Sequence, residues 1–376
     1  MKIYANKIVK LLISYLIVAS LVATMCIDAF AQTEYTLALA DGTYNTISSS
    51  NTRRYTVVQG GCRNDYYYFC GMAQGTSTDD TCWMASYYPN GTLRTSALRS
   101  MGHCNDMTYD SLNRYITVVK RYEYSEDAGK LVNTNKVECM NINFEHRNTF
   151  YLNEFSHMFG IAFDSSANQY YVCGATSETT VKCVVYTSWF KPVRSFTYTK
   201  DVNKNETNQG IEYYNNCIYA FQCNSSNTEA YISVYLASDT DNVKAGTLLH
   251  KYTIDTQNGT TSYEAENISI KSDNVLTLGL NRNSSSTDRV CSFSFYKGDV
   301  NLDDQINGKD VLMLMKAVKG LVTDIHYLNA DVDENGVVND DDVTKLKEMI
   351  VGLASVDVTI ETENIETPND IITSKQ

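Results

Sequence analysis

Between Gln32 and Lys297 the apolar positions fall in short runs rich in Tyr, Val, Thr and Phe, and each run is stopped by a cluster of Asn, Asp, Ser, Thr or Gly. Period-two alternation broken by turn-forming residues predicts β-strands throughout this stretch. The strands also recur. Tyr66 to Met72, Arg114 to Lys120, Gln169 to Ala175, Cys217 to Cys223 and Val275 to Asn281 share one texture, and their starts step by 48, 55, 48 and 58 residues. Each follows a shorter strand and a turn and precedes a third strand; four units add a fourth strand, around Leu93, Phe150, Val193 and Leu249. Three or four antiparallel strands repeating near fifty residues are the signature of a β-propeller, so five repeats predict an all-β, five-bladed ring. The fifth repeat lacks its fourth strand, whereas Tyr35 to Ala40 (YTLALA) belongs to no repeat. That segment is predicted to close the ring beside Arg289 to Tyr296 and hide the open edge. A sandwich of irregular hairpins is the alternative, but it gives no reason to omit a strand only at the end.

At Asp299 the texture changes to DVNLDDQINGKD followed by VLMLMKAVKG, and 32 residues after that start comes DVDENGVVNDDD followed by VTKLKEMIVGL. These read as two twelve-residue calcium loops, each opening a helix, because a hard dication takes six or more oxygens and alternate loop positions aim them inward. The predicted ligands are Asp299, Asn301, Asp303, the carbonyl of Gln305 and Asp310 in the first loop, and Asp331, Asp333, Asn335, the carbonyl of Val337 and Asp342 in the second. Val311, Leu312, Leu314, Met315 and Val318 make one apolar stripe, and Val343, Leu346, Met349, Ile350 and Leu353 the other. Charge follows the same boundary: residues 299–376 hold 17 acidic and 6 basic side chains, net −11 of the chain's −13. The acidity therefore points to a cation, and no basic stripe exists to bind nucleic acid.

The Asp at position twelve of each loop and the duplicated loop-helix unit together resemble the type I dockerin family, over about residues 298–354. The resemblance implies a small all-α module folded around two calcium ions, which binds a cohesin module of a scaffoldin in a cellulosome of the kind that degrades plant polysaccharide. Two features depart from the pattern. Asp304 stands at position six of the first loop, where Gly336 supplies the flexible turn in the second, and positions ten and eleven differ between the loops, Gly308 and Lys309 against Asp340 and Asp341. The first site is expected to be the weaker, and the two halves to read a partner differently.

Lys2, Lys7 and Lys10 precede an apolar run from Leu11 to Ile27, and Ala29-Phe30-Ala31 offers small residues for cleavage, so residues 1–31 read as an export signal. No later run approaches membrane-spanning length, which predicts a secreted, extracellular, scaffold-associated protein. Residues 32–297 would then form the propeller, 298–354 the dockerin and 355–376 a flexible tail. Ten of the eleven cysteines remain after cleavage, without metal-site spacing; Cys70 with Cys82 and Cys173 with Cys183 flank equivalent hairpins, as core thiols or cross-strand disulfides.

Aligned on their inner strands, the repeats bring Gln59-Gly60, Asn105-Asp106, Phe159-Gly160, Gln209-Gly210 and Glu266-Asn267 to equivalent places, with His103 and His157 just ahead of two of them. Gln59, His103, Asn105, Asp106, His157, Gln209, Glu266 and Asn267 are thus candidates for a ring of sugar-binding groups around the funnel, unless these residues only relieve crowding at the axis. The same funnel would suit a glycoside hydrolase or lyase, with Asp106 and Glu266 as the nearest catalytic pair and Glu212 and Asp65 behind them. A structural or protein-binding component is the third reading. No serine-hydrolase elbow, zinc-protease motif or phosphate loop occurs.

Overall fold

The computed structural model describes residues 34–48, 55, 57–73, 80–200, 207–223, 230–240, 243–255, 257–258, 261–281 and 287–352. The segments expected to be an export signal (1–31) and a flexible tail (355–376), and Leu353 of the expected apolar stripe, lie outside the described residues. Two strands, β1 (Glu34–Ala38) and β2 (Thr43–Ser48), precede the first blade, which comprises β3 (Val57–Arg63), β4 (Tyr68–Ala73), β5 (Thr81–Tyr87) and β6 (Leu93–Ser100). Blade two is β7 (Asp106–Asp110), β8 (Tyr115–Ser125), β9 (Lys130–Asn141) and β10 (His146–Tyr151). Blade three is β11 (Gly160–Asp164), β12 (Gln169–Ala175), β13 (Thr180–Thr187) and β14 (Pro192–Thr199), and blade four is β15 (Thr207–Tyr214), β16 (Cys217–Cys223), β17 (Ala230–Leu236) and β18 (Leu248–Asp255). After a short hairpin of β19 (Gln257–Asn258) and β20 (Thr261–Ser262), blade five supplies β21 (Glu264–Lys271), β22 (Val275–Asn281) and β23 (Thr287–Ser294). Each blade is antiparallel in sequence order, and the inner strands β3, β7, β11, β15 and β21 neighbour one another in a closed cycle. The five-bladed propeller read from the repeat is therefore the architecture.

The expected closure is corrected in its details. The strand that completes blade five is β2, antiparallel to β23 from Thr43 opposite Ser292 to Ser48 opposite Thr287. The predicted segment turns away instead: β1 runs parallel to β18, with Tyr35 opposite Tyr252 and Ala38 opposite Asp255. A short 3-10 turn at Leu39–Asp41 separates the two strands. Burial explains the exchange. An outermost blade strand needs few apolar side chains, and β2 buries Ile47, whereas Leu37 and Leu39 are apolar because they pack into the cluster around Tyr252 and Ile254. β1 also covers the edge of blade four, so its strand hydrogen bonds have a partner.

Turn chemistry repeats with the blades. The tight turn after each of four inner strands ends in a left-handed residue, Asn168, Asn216 and Asn274 at φ 54°, 54° and 58°, and Arg114 at 57°. Asn tolerates that conformation; an Arg there costs about 1 kcal/mol. Neighbouring blades are tied by arginines near the start of the fourth strand. Arg94 donates to the Ile142 carbonyl at 3.0 Å and to Asn143 Oδ1 at 2.9 Å, and Arg194 donates to the Ala237 carbonyl at 2.8 Å and to Ser238 Oγ at 2.6 Å. The ten described cysteines are buried. Cys173 stands directly opposite Cys183, but Cys70 faces Ala85 and Cys82 faces Ala73, so the Cys70–Cys82 pair is out of register.

The C-terminal part contains α1 (Gly308–Val318), a single turn α2 (Tyr327–Ala330) and α3 (Asp340–Ile350). Asn307 and Asn339 cap the two long helices through reciprocal bonds with Asp310 and Asp342. Leu314, Val343 and Leu346 fill the core while Leu312 and Ile350 remain exposed. This part packs directly on blades four and five: Tyr327, Leu328, Val332 and Leu346 share one apolar cluster with Tyr219, Tyr252 and Leu276. The Leu328 N–H donates to the Tyr252 hydroxyl at 3.0 Å, and the His250 and Tyr327 rings stack with centroids 5.3 Å apart.

His326 is 7% exposed, enclosed by Tyr35, Tyr252 and Phe295. Burial pushes its pKa down to about 4, and burial with the nearby His326 lowers that of His250 to about 3. Both rings are neutral in the folded chain and take up protons more readily when it opens. Stability measured by thermal melting in calcium buffer should therefore fall as pH drops from about 6.5 toward 4. His326→Phe should flatten that decline, and an unchanged slope would show that the interface does not govern it.

Candidate calcium loops and the propeller axis

Each acidic loop bends around its own carboxylates before a helix begins. In the first, Asp310 Oδ1 accepts from the N–H groups of Val300 and Asn301 at 2.9 and 3.1 Å, and its Oδ2 accepts from Asn307 N–H at 2.8 Å. Asp299 receives the N–H groups of Asp303 and Asp304, both at 3.1 Å, and Asp303 pairs with Lys309 at 3.1 Å. Asn301 Oδ1 accepts from Asp303 N–H at 2.9 Å, and Gln305 N–H donates to Asp303 Oδ1 at 3.2 Å. The second loop repeats the scheme: Asp342 accepts from Val332, Asp333 and Asn339, and Asp331 from Gly336. Asn335 Oδ1 receives Val337 N–H at 2.7 Å.

Asp331, Asp333 and Asp342 each offer a carboxylate oxygen within 4.8 Å of the others. Burial, then the charges of Asp342 and Asp333, push the Asp331 carboxyl up to about 7; burial is also the leading cause that raises Asp342 to about 6. Burial raises Asp299 in the first loop as well. Three hard oxygen donors that repel one another fit a divalent cation of the calcium type. The loops differ where the sequence differs: Asp304 adopts φ 60° at the position where Gly336 has 81°. Gly336 is constrained a second time, since a Cβ there would lie 2.4 Å from the Asn215 carbonyl of blade four.

At the propeller axis, the residues aligned by the repeat do meet, and they reach for one another. Asp106, fully buried on β7, accepts from its neighbour Met107 at 2.9 Å and, through Oδ2, from the N–H groups of Ile161 on β11 at 2.8 Å and Ile211 on β15 at 3.0 Å. Glu212 on β15 takes Ser269 Oγ at 3.1 Å on β21, and Asn267 on β21 donates to the Gln59 carbonyl at 2.6 Å on β3. Gln59 Nε2 donates to Glu266 Oε1 at 3.2 Å, and Gln209 Nε2 to Cys223 Sγ at 3.1 Å. Gln59, Gln209 and Glu266 fall within irregularities where the pairing register of their strands shifts. Burial raises the Asp106 pKa, and burial with Glu264 raises that of Glu266. Asn105 Oδ1 is buried without a hydrogen-bond partner, and His157 lies half-buried with its pKa lowered by burial and by Arg121. His103 is exposed and meets Tyr122 edge-on at 6.5 Å. Residues 49–54, 74–79, 201–206, 224–229 and 282–286 lie outside the described residues.

The sequence alone did not reveal that Asp106 joins three blades. Its signal was available in the glycines opposite: a Cβ at Gly210 would lie 2.8 Å from Asp106 Oδ1, and one at Gly60 would lie 2.5 Å from the Cys104 carbonyl. Asp106→Ala should therefore strand the Ile161 and Ile211 N–H groups and destabilise the propeller by roughly 2–5 kcal/mol in chemical denaturation. A loss below about 1 kcal/mol would show that the clasp is incidental.

Residues 297–351 match the family model of the dockerin type I domain. No curated protein matches the chain. Among solved structures the chain is similar to the Neurospora crassa Pan2 WD40 domain, at 8% identity over 69% of this chain and 97% of that one, with a TM-score of 0.36. It is also similar to a chain of the nidogen/laminin complex, at 7% identity over 67% of this chain and 94% of that one, with a TM-score of 0.39. No helix among the described residues is long and apolar enough to cross a membrane. The matched segment is a type I dockerin domain, of a kind that generally binds calcium and implies docking onto a cohesin in a cellulosome-type assembly, and it follows a five-bladed β-propeller.

Proposed function

We propose that this chain is an exported component of a cellulosome-type assembly, anchored by its dockerin to a scaffoldin cohesin and presenting its propeller to carbohydrate or cell-surface ligands. In this reading residues 1–31 are a cleaved signal, 32–297 the propeller, 298–354 the docking module and 355–376 a tail. The observation that carries the reading is the repelling carboxylate cluster of Asp331, Asp333 and Asp342 inside a segment that matches the dockerin family. Two calcium ions would be held, one by Asp299, Asn301, Asp303, the Gln305 carbonyl and Asp310, the other by Asp331, Asp333, Asn335, the Val337 carbonyl and Asp342. Bound calcium would supply the positive charge that lets these carboxylates stay ionised together; the residues themselves fix the loop ends to α1 and α3. The hydrolase reading gains no support from Asp106, whose carboxylate is taken up by backbone N–H groups.

Calorimetric titration of the full chain should give two calcium equivalents, with the first loop the weaker, and Asp304→Gly should tighten that site by relieving the left-handed strain. One equivalent, or no tightening, would contradict the assignment. A type I cohesin immobilised on beads should retain the protein in calcium and release it in EDTA; retention in EDTA would remove calcium from the docking step.

In chelator the raised carboxyls of Asp331 and Asp342 make the folded module hold protons that the unfolded chain loses. The stability difference between calcium and chelator should thus widen as pH rises from about 4 through about 7, because the buried histidines contribute equally to both conditions. Melting curves across that range, with and without the ion, check the sign; a difference that stays constant or narrows as pH rises would refute it.

A further inference from the structure

The five inner strands end, on the side away from the starts described above, around an axial depression of about 570 Å³. Every blade contributes to its lining: Asn64 and Asp65 follow β3, Tyr109 lies on β7, Asp164 on β11, Tyr213 on β15 and Lys271 on β21. Glu334, from the second acidic loop, completes the rim. The walls are fixed in advance. Asp164 is buried and accepts from Ser166 N–H at 2.9 Å, Ser166 Oγ at 2.6 Å and Ala167 N–H at 3.2 Å. The Tyr213 ring stacks on Tyr171 with centroids 4.7 Å apart, and Phe69 stacks against Tyr109 at 6.0 Å. Lys271 is half-buried and makes no ion pair among the described residues. Beside the depression an adjoining cavity shares Asn64 and Asp65 and carries the exposed rings of Tyr66 and Tyr88, with Tyr67 packed between them.

We propose that this mouth binds the end of a neutral oligosaccharide, with the terminal sugar in the axial depression and the following residues along Tyr66 and Tyr88. The proposal rests on the carbohydrate-binding reading of the propeller and assigns it a different mouth. Rigid aromatic walls suit the apolar faces of sugar rings, while the amide of Asn64, the carboxylate of Asp65 and the ammonium of Lys271 suit their hydroxyls. Glu334 is paired with Lys297, but Asp65 and Asp164 still outnumber Lys271 among the charged lining residues, so a polyuronate meets net repulsion.

The test is calorimetry of the full chain in calcium buffer with xylo-, cello-, manno- and arabino-oligosaccharides and with oligogalacturonate. At least one neutral oligosaccharide should bind, oligogalacturonate should not, and Asp65→Ala, Tyr66→Ala and Lys271→Met should each weaken binding about tenfold. Asp65 and Tyr66 are exposed turn residues, so unchanged melting temperatures will show that these variants fold. Full affinity in the three variants, with loss in His103→Ala, would overturn the proposed mouth while leaving the carbohydrate reading intact. Preference for oligogalacturonate would overturn the ligand class, and failure of every sugar to bind would overturn both readings.

Discussion

Five strands that converge on one axis must bring backbone against backbone without leaving polar groups unpaired, and this constraint shapes the molecule. The solution is a buried carboxylate: Asp106 takes N–H groups from two neighbouring blades, and Glu212 and Asn267 pass the linkage on to blades five and one. Small residues follow as a consequence, because Gly60, Gly160 and Gly210 face atoms too near for a side chain to enter freely. The polar character of the inner-strand starts is thus largely structural. It consumes groups that, on sequence grounds alone, resemble a sugar-binding ring.

The number of blades and the positions of nearly all their strands were legible because burial imposes alternation locally, and alternation repeats with each blade. The calcium loops were legible for a similar reason, since ligand spacing is set within twelve residues. What escaped was long-range. Alternation reports that a strand is buried but not which strand lies beside it, so YTLALA was assigned to the open edge when the more polar TYNTIS takes that place. The inter-blade arginines Arg94 and Arg194 and the Asp106 clasp are single contacts with partners far along the chain, and they leave no periodic trace. The axial depression collects two to four residues per blade from strand ends and the turns that follow them, which look like ordinary solvent-facing connectors.

The dockerin and the propeller share an interior. Tyr327 and Leu328 of the short middle helix pack on Tyr219 and Tyr252, and the Gly336 carbonyl accepts both the Tyr327 hydroxyl at 2.7 Å and the Cys217 thiol at 3.4 Å. The second acidic loop is therefore pressed between its own helix and blade four, while the first loop keeps Leu302 and Ile306 exposed. The difference at position six, Asp304 against Gly336, matches these different surroundings, since Gly336 lies against Asn215 of blade four.

Closure by β2 has a kinetic side. β2, which precedes the first blade in the chain, pairs with the last strand of the ring, so blades one to four can assemble while the latch still waits for its partner. Such a late, sequence-distant contact makes for slow completion, because the loop entropy is lost before the pairing returns anything. The same seam holds blade five by one strand borrowed from the opposite end of the chain. Partial opening of the ring under heat or pulling force would begin by peeling that strand away, with the remaining four blades still stacked.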